Sequence, residues 1–198
     1  MKTRISSAKA KDISLNLGFD SVCRSDANGF SGGIWILWNS DEITLDILSV
    51  TDQAIHAFVQ VCTSNPNSVW LFSAIYANPN LSTRIHLWED LASFASCHFV
   101  PWLLAGDFND ILNDHENFSC FLPSHNCIAL FNNLLNKCNL LDLGFNGPCF
   151  TSTNKRNNLL VMKRLDRALC NPGWLLLFEE TNVFHLPKTS SDHHPLIT

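Results

Sequence analysis

Apolar and polar residues change period along the chain, and each period implies an element. Ile43, Leu45 and Ile47 alternate with Thr44 and Asp46. Ile55, Ala57, Val59 and Val61 alternate with His56, Phe58 and Gln60. A period of two puts one set of side chains on each face of an extended strand. Ile34 to Trp38 is continuously apolar and reads as a strand ahead of these two. Three strands so closely spaced leave no room for crossover helices, which predicts an antiparallel sheet. Val69 to Tyr76 reads as a fourth strand. Residues 1–28 are polar and mixed, with room for one short helix ending near Gly18.

A helical period takes over after Ser82, the expected N-cap, with Ile85, Trp88, Leu91 and Ala95 on one stripe. Pro101 to Ala105 predicts a short buried strand, and Gly106-Asp107-Phe108-Asn109 follows at its C-terminal end. A second helix is expected over Ser124 to Cys138, burying Ile128, Phe131, Leu134, Leu135 and Cys138. Cys149 to Ser152, Arg164 to Cys170 and Thr181 to Phe184 are strand-like. Asn171-Pro172 interrupts them and starts a short helix over Gly173 to Phe178. Strands dominate and helices separate groups of them. The class is α+β, or layered α/β: a two-sheet sandwich flanked by helices, with 1–198 read as a single domain.

Composition narrows the class. The chain has 198 residues, 46% of them apolar and only 16% charged, against about 25% charged in ordinary soluble domains. General disorder is excluded. No apolar run approaches the roughly 18 residues of a membrane span. Met1-Lys2-Thr3-Arg4-Ile5-Ser6 leads into Lys9, Lys11 and Asp12, which does not resemble a secretory signal, so an intracellular chain is expected. The formal charge of -5 disfavours non-specific wrapping of nucleic acid but leaves room for a local basic groove. Lys155, Arg156, Lys163, Arg164 and Arg167 form the most basic stretch, readable as DNA-phosphate contacts or as solvent-facing charge on a hairpin. The eight cysteines show no CxxC pair and are expected mostly as buried reduced thiols, with no disulfide-linked partner. The six tryptophans are expected mainly in the core. Asp107 to Glu116 is acidic, but Ile111 at its fifth position and the lack of glycine at its sixth defeat a calcium loop, so a solvated loop is expected.

Four polar clusters adjoin apolar strands: Tyr76-Ala77-Asn78, Gly106-Asp107-Phe108-Asn109, Arg164-Leu165-Asp166 and Ser191-Asp192-His193-His194. Taken singly, each is an ordinary turn or cap. In this order, with Gly29-Phe30-Ser31-Gly32-Gly33-Ile34-Trp35 ahead of them, they resemble the endonuclease/exonuclease/phosphatase superfamily, which includes apurinic endonucleases and deoxyribonuclease I. The resemblance is closest to the endonuclease domain of plant LINE-type (non-LTR) retrotransposons. It implies a deoxyribonuclease I-like fold and a divalent-metal-dependent phosphodiesterase acting on DNA, monomeric and nuclear where functional. By that resemblance Asp107 activates or orients the attacking water and Asn109 hydrogen-bonds beside it. Asp166 fixes the tautomer of His193, which contacts the phosphate. Tyr76 lines the phosphate site, Asn78 and Arg164 bind substrate, and Asp192 helps to hold Mg2+ or Mn2+.

The chain also departs from the family pattern. Family members begin with a strand carrying an Asn and a second strand ending in a metal-binding Glu. Here the chain opens at Met1-Lys2-Thr3-Arg4, so Lys2 occupies the position of that Glu. Replacing a carboxylate with an ammonium beside a cation costs on the order of 1 to 4 kcal/mol even when screened, and metal affinity is expected to fall. The C-terminus stops where the family continues with another strand, so a domain incomplete at both ends, with edge strands missing, is expected. Two readings follow: an impaired endonuclease of retrotransposon origin, or a catalytically inactive remnant acting at most as a nucleic-acid-binding or interaction module.

Overall fold

The computed structural model describes residue 13 and residues 16–25, 33–62, 69–188 and 190–198; Lys2 and Gly29 to Gly32 lie outside them. Strands β1 (Ser21–Arg24) and β2 (Trp35–Trp38) pair antiparallel in a sheet of their own. This corrects the expected run of three strands in one sheet. The Asp20 carboxylate accepts bonds from the Ser40 amide and hydroxyl at 2.9 and 2.8 Å, closing the far end of the β1–β2 pair. A partner of four mixed residues carries little periodicity of its own.

β3 (Ile43–Val50), β4 (Ala54–Val61) and β5 (Val69–Tyr76) form the antiparallel part of a six-stranded mixed sheet. Helix α1 (Leu81–Cys97) crosses over to β6 (Trp102–Asp107), which lies parallel to β5. The α1 cap is Asn80 and not Ser82: the Asn80 Oδ1 accepts from the Ser82 amide at 2.9 Å and from its hydroxyl at 2.7 Å. β7 (Asn117–Phe118) precedes helix α2 (His125–Lys137), which falls within the expected bounds, with Ser124 and Cys138 as its caps. After β8 (Leu141–Asp142) comes a hairpin, β9 (Ser152–Arg156) and β10 (Leu159–Lys163), which carries Lys155, Arg156 and Lys163 of the basic stretch. Its Asn157-Asn158 loop has φ of 51° and 60°, the twist that a two-residue hairpin turn needs.

β11 (Asp166–Cys170) pairs antiparallel with β6, and the sheet order is β3-β4-β5-β6-β11-β8. Helix α3 (Pro172–Leu177), then β12 (Phe184–His185) and β13 (Leu196–Ile197), complete the described elements. One sheet face buries Leu71, Ile75, Trp102, Leu104 and Leu169 against Leu87, Trp88 and Leu91 of α1 and Phe131, Leu134 and Leu135 of α2. The other face buries Leu103, Ala168 and Cys170 with Trp174 and Val183. The fold is α+β, as the patterning predicts. The remaining described strands form separate small sheets, β7-β10-β9, β12-β13 and β1-β2.

Two expectations fail. Only Cys138 and Cys170 are buried, while Cys62, Cys97, Cys120 and Cys149 are exposed. The acidic loop is not simply solvated, since Asp110 and Glu116 are buried in ion pairs with Arg84, Arg164 and Arg167. Among the described residues, no helix is long and apolar enough to cross a membrane.

Candidate functional site

Three strands end at one level. Tyr76 on β5 stands opposite Asp107 on β6, and Asp107 stands opposite Asp166 on β11. Cross-strand partners project from the same face, so these three side chains leave the sheet together, on the face away from α1 and α2. The C-terminal segment supplies the fourth group. His193 bridges to Ser152, the His194 amide donates to the Thr151 carbonyl at 2.7 Å, and the Thr153 amide donates to the Asp192 carbonyl at 2.9 Å. This seating brings His193 Nδ1 to 2.7 Å from Asp166 Oδ2.

Thr151, fully buried, has no counterpart in the sequence reading. Its Oγ1 accepts from the Leu165 and Asp166 amides, each at 2.9 Å, while its carbonyl holds His194. One residue thereby fixes both halves of the histidine–carboxylate couple. Only its position inside the strand-like stretch Cys149 to Ser152 could have flagged it.

Asn109 shapes the turn after β6 with a left-handed φ of 48°. Its amide donates to Asp107 Oδ1 at 2.9 Å, and its Nδ2 donates to Asp107 Oδ2 at 3.1 Å and to the Ala77 carbonyl at 2.8 Å. Asn turns orient a carboxylate cheaply because Asn tolerates this conformation. Burial raises the Asp107 carboxyl to about 6, with the negative Asp166 adding to the rise and His193 opposing it. The hydrogen bond to Asp166 raises His193 to about 9, against the effect of burial and with help from the charges of Asp166, Asp107 and Asp192.

The remaining sequence candidates fall differently. Asn78 lies at the same sheet end, but its Oδ1 accepts from the Asn80 amide at 2.8 Å, at the entry to α1. Asp192 is exposed beside His193 and outside the tight cluster. Arg164 is corrected: it is 6% exposed, with Nη1 2.9 Å from Glu116 and Nη2 2.7 Å from Asp142. A guanidinium committed to two carboxylates inside the fold is not presented to substrate. Arg167 is likewise enclosed, which leaves Lys155 and Arg156 as the exposed cations of the basic stretch.

Ligand atoms of Asp107, Asp166 and His193 lie within 4.8 Å of one another. Two carboxylates around one imidazolium leave the pocket net negative, and their oxygens are hard donors. Such a set suits Mg2+ or Mn2+, which bind through one or two carboxylates and retained waters.

Among solved structures, the chain resembles the endonuclease domain of TRAS1, a telomere-specific non-LTR retrotransposon. The TM-score is 0.66 at 15% identity, covering 98% of this chain and 92% of that one. It also resembles a mannosyl-6-phosphatase from Bacteroides thetaiotaomicron, with a TM-score of 0.56 at 13% identity, covering 93% and 78%. A third likeness is to D. rerio TDP2 complexed with a single-strand DNA product, with a TM-score of 0.54 at 14% identity, covering 96% and 78%. At such identities the likeness is one of fold. No curated protein matches the chain. The sequence profile of the Endonuclease/Exonuclease/phosphatase family matches residues 5–193, which span the first three polar clusters and reach His193 of the fourth. The chain belongs to the Endonuclease/Exonuclease/phosphatase family.

Proposed function

We propose that the chain is a phosphodiesterase of the retrotransposon-endonuclease type, nicking DNA with help from Mg2+ or Mn2+ held more weakly than its ancestor held it. The observation that carries this reading is the row Tyr76–Asp107–Asp166 with His193 bonded to Asp166. Phosphodiester hydrolysis needs an in-line water, a group to take its proton, and positive charge at the phosphoryl oxygens. Asp107 is ionised at neutral pH and, oriented by two bonds from Asn109, accepts the proton of the water. His193, kept protonated by Asp166, gives the phosphoryl oxygen a charged hydrogen bond. Tyr76 lines the phosphate side of the pocket. A divalent ion that Asp192 would help to hold, directly or through water, would add Lewis-acid stabilisation of the same oxygens.

By the resemblance Lys2 takes the sequence position of the family's metal-binding Glu, and this favours the second reading, an inactive remnant. Nicking of supercoiled plasmid separates the two. The endonuclease reading expects nicking that depends on Mg2+ or Mn2+, is lost with EDTA and is abolished in Asp107→Ala. Lys2→Glu should lower the half-saturating metal concentration about tenfold or more. If neither the native chain nor Lys2→Glu nicks at any metal concentration, the remnant reading stands.

A further inference from the structure

Resting on the phosphodiesterase reading, we infer that Arg84 is a positioning residue that clamps together the two turns carrying the reactive groups. One turn follows β5 and carries Tyr76 and Asn78; the other follows β6 and carries Asp107 and Asn109. Sheet pairing between these strands stops at Tyr76–Asp107. Beyond that level, the Ala77 amide reaches the Asp107 carbonyl at 2.8 Å and Asn109 Nδ2 reaches the Ala77 carbonyl at 2.8 Å. Arg84 closes the gap further out. Its Nη1 donates to the Asn78 and Pro79 carbonyls at 2.7 and 3.0 Å, and its Nη2 donates to Asp110 Oδ2 at 2.9 Å. One rigid guanidinium therefore spans both turns.

Three observations show that fold stability alone does not account for this residue. Arg84 is 3% exposed and Asp110 6%, so both charges are desolvated, and a buried ion pair is seldom more stabilising than apolar packing. Arg84 lies near the N-terminal end of α1, where the helix dipole disfavours a cation. Its Nε is buried without a hydrogen-bond partner among the described residues. What the arrangement supplies is a fixed spacing between the turns. A displacement of about 1 Å in such a floor costs up to a hundredfold in rate.

The chain contains a single tyrosine, Tyr76, so incorporation of 3-fluorotyrosine places one 19F resonance in the site. Arg84→Lys keeps the charge but loses the planar fork. The expected result is a shifted or split Tyr76 resonance in folded Arg84→Lys protein, with kcat for nicking down at least about tenfold and KM within about twofold. Leu91→Ala, which loosens the same helix from the core without touching either turn, should leave the resonance in place. Should Arg84→Lys not fold, Asp110→Ala is read by the same criteria. The inference is overturned if the resonance coincides with that of the native chain, or if Leu91→Ala moves it equally. Failure of the native chain to nick sinks the nuclease reading instead, and the 19F measurement still decides whether Arg84 holds the turns.

Discussion

Asp107 and His193 set the working range of the proposed site. Asp107 is ionised above about 6 and His193 is protonated below about 9, so both carry their reactive charge in the interval between. Nicking should follow a bell-shaped pH profile with limbs near those values, belonging to the coupled site as a whole. Asp166→Asn removes the largest cause of the His193 rise and should move the alkaline limb toward 6.5. An alkaline limb that stays put in that variant would detach His193 from catalysis. The same shifts bear on stability. Because His193 is raised in the fold, its contribution is full below 6.5 and is lost as pH rises through about 9. Asp107 is also raised, so ionising it above about 6 opposes folding. Asp107→Asn should therefore stabilise the chain at neutral pH by about 1 to 3 kcal/mol while abolishing nicking. The gain should fade as pH falls toward 3.8. Urea unfolding at both pH values checks this, and a destabilised Asp107→Asn at neutral pH counts against a desolvated carboxylate. The groups that the fold brings together, Asp107, Asp166 and His193, were readable from sequence because each stands in a short motif next to a strand. Arg164 was not, since composition cannot say which way a guanidinium faces.

At the scale of elements, β6 and its turn carry the site, and Gly106 is where the two requirements meet. Its φ is 142°, and a Cβ there would collide with the Ile75 carbonyl on β5. Gly106→Ala must push β5 from β6 beside the Tyr76–Asp107 pair. A loss on the order of 2 kcal/mol or more in urea unfolding is expected, together with a severe loss of nicking. An unchanged urea midpoint would show that the strands separate more easily than this contact implies. The hairpin of β9 and β10 shows what periodicity missed. The Asn157-Asn158 pair was a usable turn signal, but the flanking polar strand Ser152–Arg156 lacks the alternation of a half-buried one. The missed partner β1 has the same cause, being too short for a period to register.

Across the molecule, a buried charge network joins the loop after β6, β8 and β11. Arg167, fully buried, meets Glu116 at 2.8 Å and Asp142 at 2.7 Å, while Arg164 binds the same two carboxylates. Burial alone would raise Glu116 and Asp142, but the hydrogen bonds and charges of the arginines outweigh it and hold both below the usual carboxylate range. Their stabilisation is present above 4.5 and 3.8 respectively and is lost as pH falls through the lower folded values. Arg167→Met leaves buried carboxylates under-compensated and should cost about 3 to 5 kcal/mol in urea unfolding. A cost below about 1 kcal/mol would mean that Arg164 alone neutralises the pair. The sequence by itself determined the α+β class, the long strands, the two long helices and the ordered polar clusters, because period, turn chemistry and motif are local properties of the chain. Only the tertiary structure decided that Tyr76, Asp107 and Asp166 share one cross-strand row, that Thr151 seats His193, and that the most basic stretch turns two arginines inward. Those facts depend on strand register and on which charges meet out of water, and both are set by contacts between residues far apart in sequence.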